Sequence, residues 1–171
     1  MVSVFVGTSV DGFIARMNGS FDFLMPFTEP HGFEEFLASV DAIVMGRNTF
    51  ETVLAMDEWP YGEKRIVVLS SRALHVPDKR KVTVEHMQGE PADIVAQLAA
   101  TGAHHLYVDG GITIQRFLRA HLVNRLTITH VPVLIGEGIP LFGSLPADVQ
   151  LRHLATHRYQ SGLVKSEYEV L

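Results

Sequence analysis

The chain has 171 residues, a length that predicts a single domain spanning residues 1–171. Hydrophobic residues make up 47% of it, which is enough for a buried core and excludes a disordered protein. The net charge of −5 without a basic run argues against a nucleic-acid binder, and the absence of cysteine excludes disulfides, zinc–thiolate sites, iron–sulfur clusters and thiol nucleophiles.

The first half of the chain alternates short apolar runs with helical patterns. Val2–Ser9 is rich in β-branched residues and predicts a buried strand, followed by a long loop from Asp11 to about Pro30. Apolar residues between Phe33 and Val40 recur at the spacing of one helix face. The next predicted elements are a strand over Ala42–Met45, a helix over Arg47–Met56, a strand over Arg65–Leu69 and a short strand over Lys81–Glu85.

The second half continues this alternation and then changes to strands. Pro91 opens a predicted helix that runs to Ala100, because proline is favoured in the first helical turn. Further on, the pattern predicts a strand over His105–Val108, a helix through Ile114, Phe117 and Leu118, a strand over Arg125–Leu134, and a hairpin of Leu151–Arg158 and Leu163–Val170. The sequence thus predicts an α/β fold: a mainly parallel sheet flanked by helices on both faces, with an antiparallel C-terminal hairpin.

Three predicted strand ends carry residues suited to phosphate groups. Gly46-Arg47, Ser70-Ser71-Arg72 and Asp109-Gly110-Gly111 each follow a strand, where ligands of α/β sheets bind. Glycine lets the backbone approach a phosphate, and a helix N-terminus favours an anion. Hydroxyls followed by a cation suit an adenosine 2′-phosphate. Taken singly, each segment is also compatible with a tight turn, a helix cap or a surface ion pair between Arg47 and Glu51.

The order and spacing of these segments resemble the dihydrofolate reductase superfamily. The resemblance extends over nearly the whole chain, and its branch is similar to the reductase domain of the bifunctional riboflavin-biosynthesis deaminase-reductase. It implies a single dihydrofolate-reductase-like domain that uses NADPH to reduce a small heterocyclic substrate, pterin-like or pyrimidine-like. The matching segments are Gly46–Glu51, Val67–Arg72, Tyr107–Gly111, Ser9–Ala15, Pro132–Gly138 and Pro140–Phe142.

The resemblance also implies roles for individual residues. Asp11, just past the first strand, is the predicted catalytic residue: burial beside the cofactor would raise its pKa and let it orient substrate or relay a proton. The alternative for Asp11 is a turn residue that bonds its own backbone. For the cofactor, the resemblance implies Gly46, Arg47 and Thr49 at the phosphates, Ser70, Ser71 and Arg72 at the adenosine 2′-phosphate, Gly110, Gly111, Ile112 and Thr113 under the pyrophosphate, and Gly7–Ile14 beside the nicotinamide.

Several further expectations follow. The nine histidines are scattered, so no metal site is expected. Met1–Gly12 has no basic segment typical of a signal peptide, and no apolar run reaches the roughly 18 residues of a membrane helix, so a cytoplasmic protein without membrane contact is expected. The exposed edge of the C-terminal hairpin favours a homodimer. The alternative to a reductase is an NADP(H)-binding module without turnover.

Overall fold

An eight-stranded sheet forms the centre of the computed structural model, which describes residues 1–27, 29–72, 74 and 83–171. A short 3₁₀ helix covers Asp22–Leu24. The strands are β1 (Val2–Ser9), β2 (Phe13–Ala15), β3 (Ala42–Gly46), β4 (Arg65–Leu69), β5 (Val84–Met87), β6 (Leu106–Asp109), β7 (Arg125–Val131), β8 (Ile139–Pro140), β9 (Leu151–Arg158) and β10 (Val164–Val170). The helices are α1 (Phe33–Ser39), α2 (Arg47–Leu54), α3 (Pro91–Ala100) and α4 (Gly111–Arg119).

The sheet has the strand order β5-β4-β3-β6-β1-β7-β10-β9. Neighbours from β5 to β7 are parallel, whereas β7–β10 and β10–β9 are antiparallel. The predicted α/β fold with an antiparallel C-terminal hairpin is therefore confirmed. Parallel neighbours end at the same edge of a sheet, so the residues that follow β4, β3 and β6 come together.

Successive residues of a strand point to opposite faces of the sheet, so a strand that is apolar throughout has two faces to bury. Helices cover both faces and form a core on each. Val44 of β3 packs in a core with α3 and α4, where Phe117 is fully buried. Ile43 and Met45 of the same strand face the other core, which contains Phe50 of α2. Burying a side chain such as Phe50 or Phe117 contributes about 1.5–3 kcal/mol to folding.

Several predicted boundaries differ from the structure by one or two residues, as at α2, which ends at Leu54 rather than Met56, and three differ by more. The loop predicted from Asp11 to Pro30 contains β2, which pairs with β8 in a separate two-stranded sheet. The strand predicted at Lys81–Glu85 is observed as Val84–Met87, and Lys81 and Val82 lie outside the described residues. The strand predicted to reach Leu134 ends at Val131, because Pro132 has no N–H to continue the ladder.

None of the described helices is both long enough and apolar enough to cross a membrane.

Candidate active site

The three strand ends predicted to bind phosphate lie side by side. Gly46 of β3 pairs with Leu69 of β4, and Met45 pairs with Asp109 of β6. A cavity of about 640 Å³ opens at this edge of the sheet. A second hollow of about 630 Å³ adjoins it and shares Arg47 and Arg116 in its wall. The large cavity is lined by Gly46, Arg47, Thr49, Gly110, Gly111, Ile112 and Thr113, and the hollow by Arg47, Ser70, Ser71 and Arg72. All ten predicted cofactor residues therefore line these two adjoining hollows, which together we call the cleft.

Two helix N-termini meet in the cleft through close contacts at two glycines. A Cβ on Gly110 would lie 2.3 Å from Thr49 Oγ1, and the φ of +88° at Gly110 disfavours other residues. A Cβ on Gly46 would lie 3.1 Å from Thr113 Oγ1. These two glycines are the N-cap residues of α2 and α4, and neither end has a side-chain cap. The uncapped N–H groups of both helices therefore suit an anion.

The N–H groups at the start of α4 are not all equivalent. Gly110 N–H donates to Asp109 Oδ1 at 2.8 Å and is therefore engaged within the protein. The backbone bond of the first helical turn runs from Ile114 N–H to Gly110 O at 2.9 Å. The N–H groups of Gly111, Ile112 and Thr113 precede that bond, so they are the ones suited to a phosphate group.

Three guanidinium groups surround the adjoining hollow. Ser70 Oγ accepts from Arg72 N–H at 3.0 Å and donates to Arg72 O at 2.9 Å, which fixes the turn and leaves the Arg72 side chain exposed. Arg116 donates to Gly89 O at 2.9 Å. Arg47 pairs with Glu51 at 2.7 Å, so the surface ion pair considered from the sequence does form, although Arg47 also lines the cleft.

Asp11 lies in a different environment from the one predicted. It is exposed and does not line the cavity in the described structure. Its carboxylate accepts from Gly136 N–H at 2.8 Å and Ile135 N–H at 3.3 Å. A hydrogen bond from Ser9 and these backbone N–H groups lower the pKa of Asp11. The expected rise in its pKa was therefore wrong, because burial is slight and the charged form is well solvated by donors.

Asp109 is the carboxyl group that faces the cavity. Tyr61 donates to Asp109 Oδ2 at 2.6 Å, and the Tyr61 side chain is itself buried. Burial raises the pKa of Asp109, and the hydrogen bonds from Tyr61 and Gly110 N–H oppose that rise. In the sequence, Asp109 stands out only as part of its glycine motif, because Tyr61 is 48 residues away. The signal that the sequence offered was the position of this acidic residue, between a buried strand and Gly110-Gly111.

Aromatic and aliphatic side chains form much of the cavity wall. Phe5 of β1 packs against Phe33 and His31, with ring centroids 5.5 and 5.7 Å apart. Leu24 packs closely against Gly7, since a Cβ there would lie 3.0 Å from Leu24 Cδ2. Thr129 of β7 is buried at the cavity, and its hydroxyl has no hydrogen-bond partner in the described structure. Sequence reasoning missed Thr129, whose burial depends on pairing with β1 and β10.

A metal centre needs several ligating side chains in one place. In the part of the chain that the structure describes, no three His, Asp or Glu side chains come together in this way.

Comparisons with known proteins agree on the fold and on a family. The model of the RibD C-terminal domain matches residues 1–165. A candidate riboflavin biosynthesis protein from Shewanella sp. PV-4 is 38% identical, with a TM-score of 0.91 over 99% of this chain and 98% of that one.

More distant solved structures share the fold. One is a diaminohydroxyphosphoribosylaminopyrimidine deaminase/5-amino-6-(5-phosphoribosylamino)uracil reductase from Thermotoga maritima, with 16% identity and a TM-score of 0.75 over 100% of this chain and 56% of that one. Another is the dihydrofolate reductase of Enterococcus faecalis in complex with NADP(H) and RAB-propyl, with 20% identity and a TM-score of 0.62 over 99% of this chain and 94% of that one. This likeness confirms the predicted dihydrofolate-reductase-like fold.

Proposed function

The chain belongs to the RibD C-terminal domain family, and on that premise we propose that it is an NADPH-dependent reductase of a small, pterin-like or pyrimidine-like substrate. One observation carries this proposal. The N-termini of α2 and α4, packed together through Gly46 and Gly110, open on one cleft beside a cluster of arginines. Such an arrangement suits a dinucleotide with a pyrophosphate and an additional phosphate group.

The fit of NADPH follows from groups of this chain. The N–H groups of Gly111, Ile112 and Thr113 and the hydroxyl of Thr49 would bind the pyrophosphate. Ser71 and Arg72, with Arg116 beside them, would bind the adenosine 2′-phosphate, because charge-assisted hydrogen bonds to phosphate are the strong ones. The side chain of Thr49 occupies the space beside Gly110, so the glycine lets the N-termini of α2 and α4 lie close together at the cleft.

The reacting end would lie between β1 and the apolar part of the cavity. NADPH supplies the hydride when it is bound. The residues of β1 up to Gly7 would hold the nicotinamide against the substrate, and the surrounding aromatic side chains would exclude water. In this arrangement Asp109 is the group placed to orient the substrate or exchange a proton with it, because it combines a raised pKa with a position on the cavity wall.

Calorimetry and cofactor oxidation test the proposal together. We expect NADPH to bind with one site per chain and more tightly than NADH. We also expect its absorbance at the nicotinamide band to fall when a pterin or pyrimidine substrate is added. Binding without oxidation across a broad panel of such compounds would favour the NADP(H)-binding module instead. Failure to bind either nicotinamide cofactor would contradict both functions.

A further inference from the structure

Arginine side chains of the described structure line the cleft beside the hollow: Arg47 and Arg116 border both the cavity and the hollow, which also contains Arg72. We call the acceptor pocket the part of the cavity wall formed by Phe5, Met25, Phe33, Tyr61, Asp109 and Thr129. Within it, Phe33 contacts Phe5 and Tyr61, and Tyr61 donates to Asp109. None of these residues is a lysine or an arginine.

Cations near the acceptor pocket are engaged elsewhere. Lys165 lies next to Thr129 in the sheet, but its Nζ donates to His31 O at 3.3 Å and pairs with Glu167 at 3.2 Å. Arg16 pairs with Asp22 at 2.6 Å. The His31 ring packs on Phe5, and its Nδ1 lies 3.1 Å from Glu29 O. Among the described residues, the acceptor pocket therefore offers a bound anion no lysine or arginine that is free of another partner.

The acid of the acceptor pocket makes an anion less favourable still. The oxygens of Asp109 already accept from Tyr61 and from Gly110 N–H, and an anion placed beside this carboxyl group would be desolvated without a compensating cation. Thr129 offers a neutral contact instead, since its buried hydroxyl lacks a described partner and can donate or accept one hydrogen bond. The aromatic side chains supply flat surfaces against which a ring can stack.

We propose that the substrate is an uncharged planar ring compound that carries no phosphate group. This inference rests on the proposed function, because it takes the acceptor pocket as the substrate site. It separates this chain from a protein such as the Thermotoga maritima neighbour, whose name describes a phosphoribosylated substrate. A phosphoribosyl group placed in the acceptor pocket would meet apolar walls and Asp109 rather than a cation.

Equilibrium binding to matched probes tests this inference. Calorimetry would compare a pyrimidine nucleoside with its 5′-monophosphate and riboflavin with its 5′-monophosphate, each with the protein alone and with saturating NADP⁺. We expect the phosphate-free member of a pair to bind at least about tenfold more tightly, which corresponds to roughly 1.4 kcal/mol. Equal or tighter binding of the phosphorylated member would overturn the inference. Absence of binding by both phosphate-free probes at millimolar concentration would overturn it as well.

A charge added to the rim gives a second test. Met25 lines the acceptor pocket and is 53% exposed, so Met25→Lys leaves the core intact. We expect the ratio of monophosphate affinity to phosphate-free affinity to rise several-fold in this variant. Met17→Lys, at a residue that is 69% exposed and does not line the cavity, is the matched control. An equal gain in both variants would mean that net charge, not the acceptor pocket, sets the preference.

These readouts do not depend on turnover. A protein that binds the phosphate-free rings but never oxidises NADPH would sustain this inference and contradict the proposed reductase. A protein that oxidises NADPH with phosphorylated substrates would support the proposed reductase and contradict this inference.

Discussion

At the scale of single residues, Arg72 decides the proposed preference for NADPH over NADH. Its guanidinium is exposed in the hollow and forms no ion pair among the described residues. Because a hydrogen bond to a charged group contributes about 1.5–3 kcal/mol, Arg72→Ala should weaken NADPH binding by roughly 10- to 100-fold. NADH binding, measured by the same calorimetry, should hardly change. Arg158→Ala on the distant strand β9 is the control, and an equal loss for both cofactors would remove Arg72 from the 2′-phosphate site.

The two candidate acids make different predictions for turnover. Asp109→Asn keeps the shape of the side chain but removes its proton exchange, so we expect a loss of about 10²-fold or more in kcat. Asp11→Asn should leave kcat close to the native value, because Asp11 is exposed and its oxygens accept from Ile135 and Gly136. Steady-state NADPH oxidation with the same substrate measures both. The reverse result would restore the catalytic role that the resemblance implied for Asp11.

The raised pKa of Asp109 has a consequence for stability that does not involve catalysis. The folded protein binds the proton of Asp109 more tightly than the unfolded chain does, whose pKa is about 3.9. The contribution of Asp109 to stability is therefore fully present below that value and is lost as the pH rises through the folded pKa. Urea unfolding from about pH 4 upward should show native stability falling relative to Asp109→Asn. Asp148→Asn, at an exposed acid, is the control and should show no such trend.

The contrast between these residues explains how far the sequence could define the site. Glycines and hydroxyls after apolar strands point to phosphate chemistry because that chemistry is local to a strand end. Gly46, Ser70 and Gly110 could therefore be found from neighbouring residues alone. Asp109 and Thr129 could not be given their roles in this way, because Tyr61 and the pairing of β7 with β1 create their surroundings.

At the scale of elements, the contact between α2 and α4 gives the next prediction. Gly110→Ala would force a Cβ against Thr49 Oγ1, at 2.3 Å, in a backbone region that costs about 1–3 kcal/mol for other residues. We expect loss of both stability and NADPH binding, measured by thermal unfolding and calorimetry. Gly102→Ala has nearly the same φ, +89°, with no atom within 4 Å of the added Cβ, so it is the control for a positive φ without a collision.

A comparison of the two glycine variants shows which result would contradict this prediction. If Gly110→Ala and Gly102→Ala lose equal stability and both bind NADPH normally, the contact between Gly110 and Thr49 does not organise the cofactor site. Thr49→Ser in the Gly110→Ala background removes a methyl group but keeps the hydroxyl that collides, and it should not restore binding. Thr49→Ala in that background removes the colliding oxygen and should recover stability in part.

Helices and strands could be predicted where the hydrophobic pattern of a single run of residues indicated them. The sequence predicts β1, β4 and α3 with the bounds that the structure has, because each is an uninterrupted apolar or amphipathic run. The pair β2 and β8 was missed since its strands have three and two residues, too few for any periodicity. These strands exist because distant parts of the chain meet, as in the hydrogen bond from Leu141 N–H to Gly12 O at 3.0 Å.

At the scale of the whole molecule, β9 leaves an open edge that a second copy of the chain can cover. β9 is the last strand of the sheet, and each of its eight residues is exposed, including Leu151 and Leu154. An open edge of this length invites pairing with another strand, and a two-fold axis would let β9 pair antiparallel with itself. We therefore predict a homodimer, and light scattering at micromolar concentration should give twice the 19.0 kDa of the chain.

A substitution at the middle of this edge separates a specific dimer from nonspecific association. Leu154 is 43% exposed, and in a dimer paired about the centre of β9 it would lie close to the axis. Leu154→Lys would then bring two like charges together in a desolvated interface, so we expect a monomer with unchanged thermal stability per chain and NADPH affinity. Leu134→Lys, at a side chain that is 70% exposed and away from β9, should remain a dimer. A mass near 19.0 kDa for the native protein would show that the edge of β9 stays open. A dimer that survives Leu154→Lys would show that another surface joins the two copies.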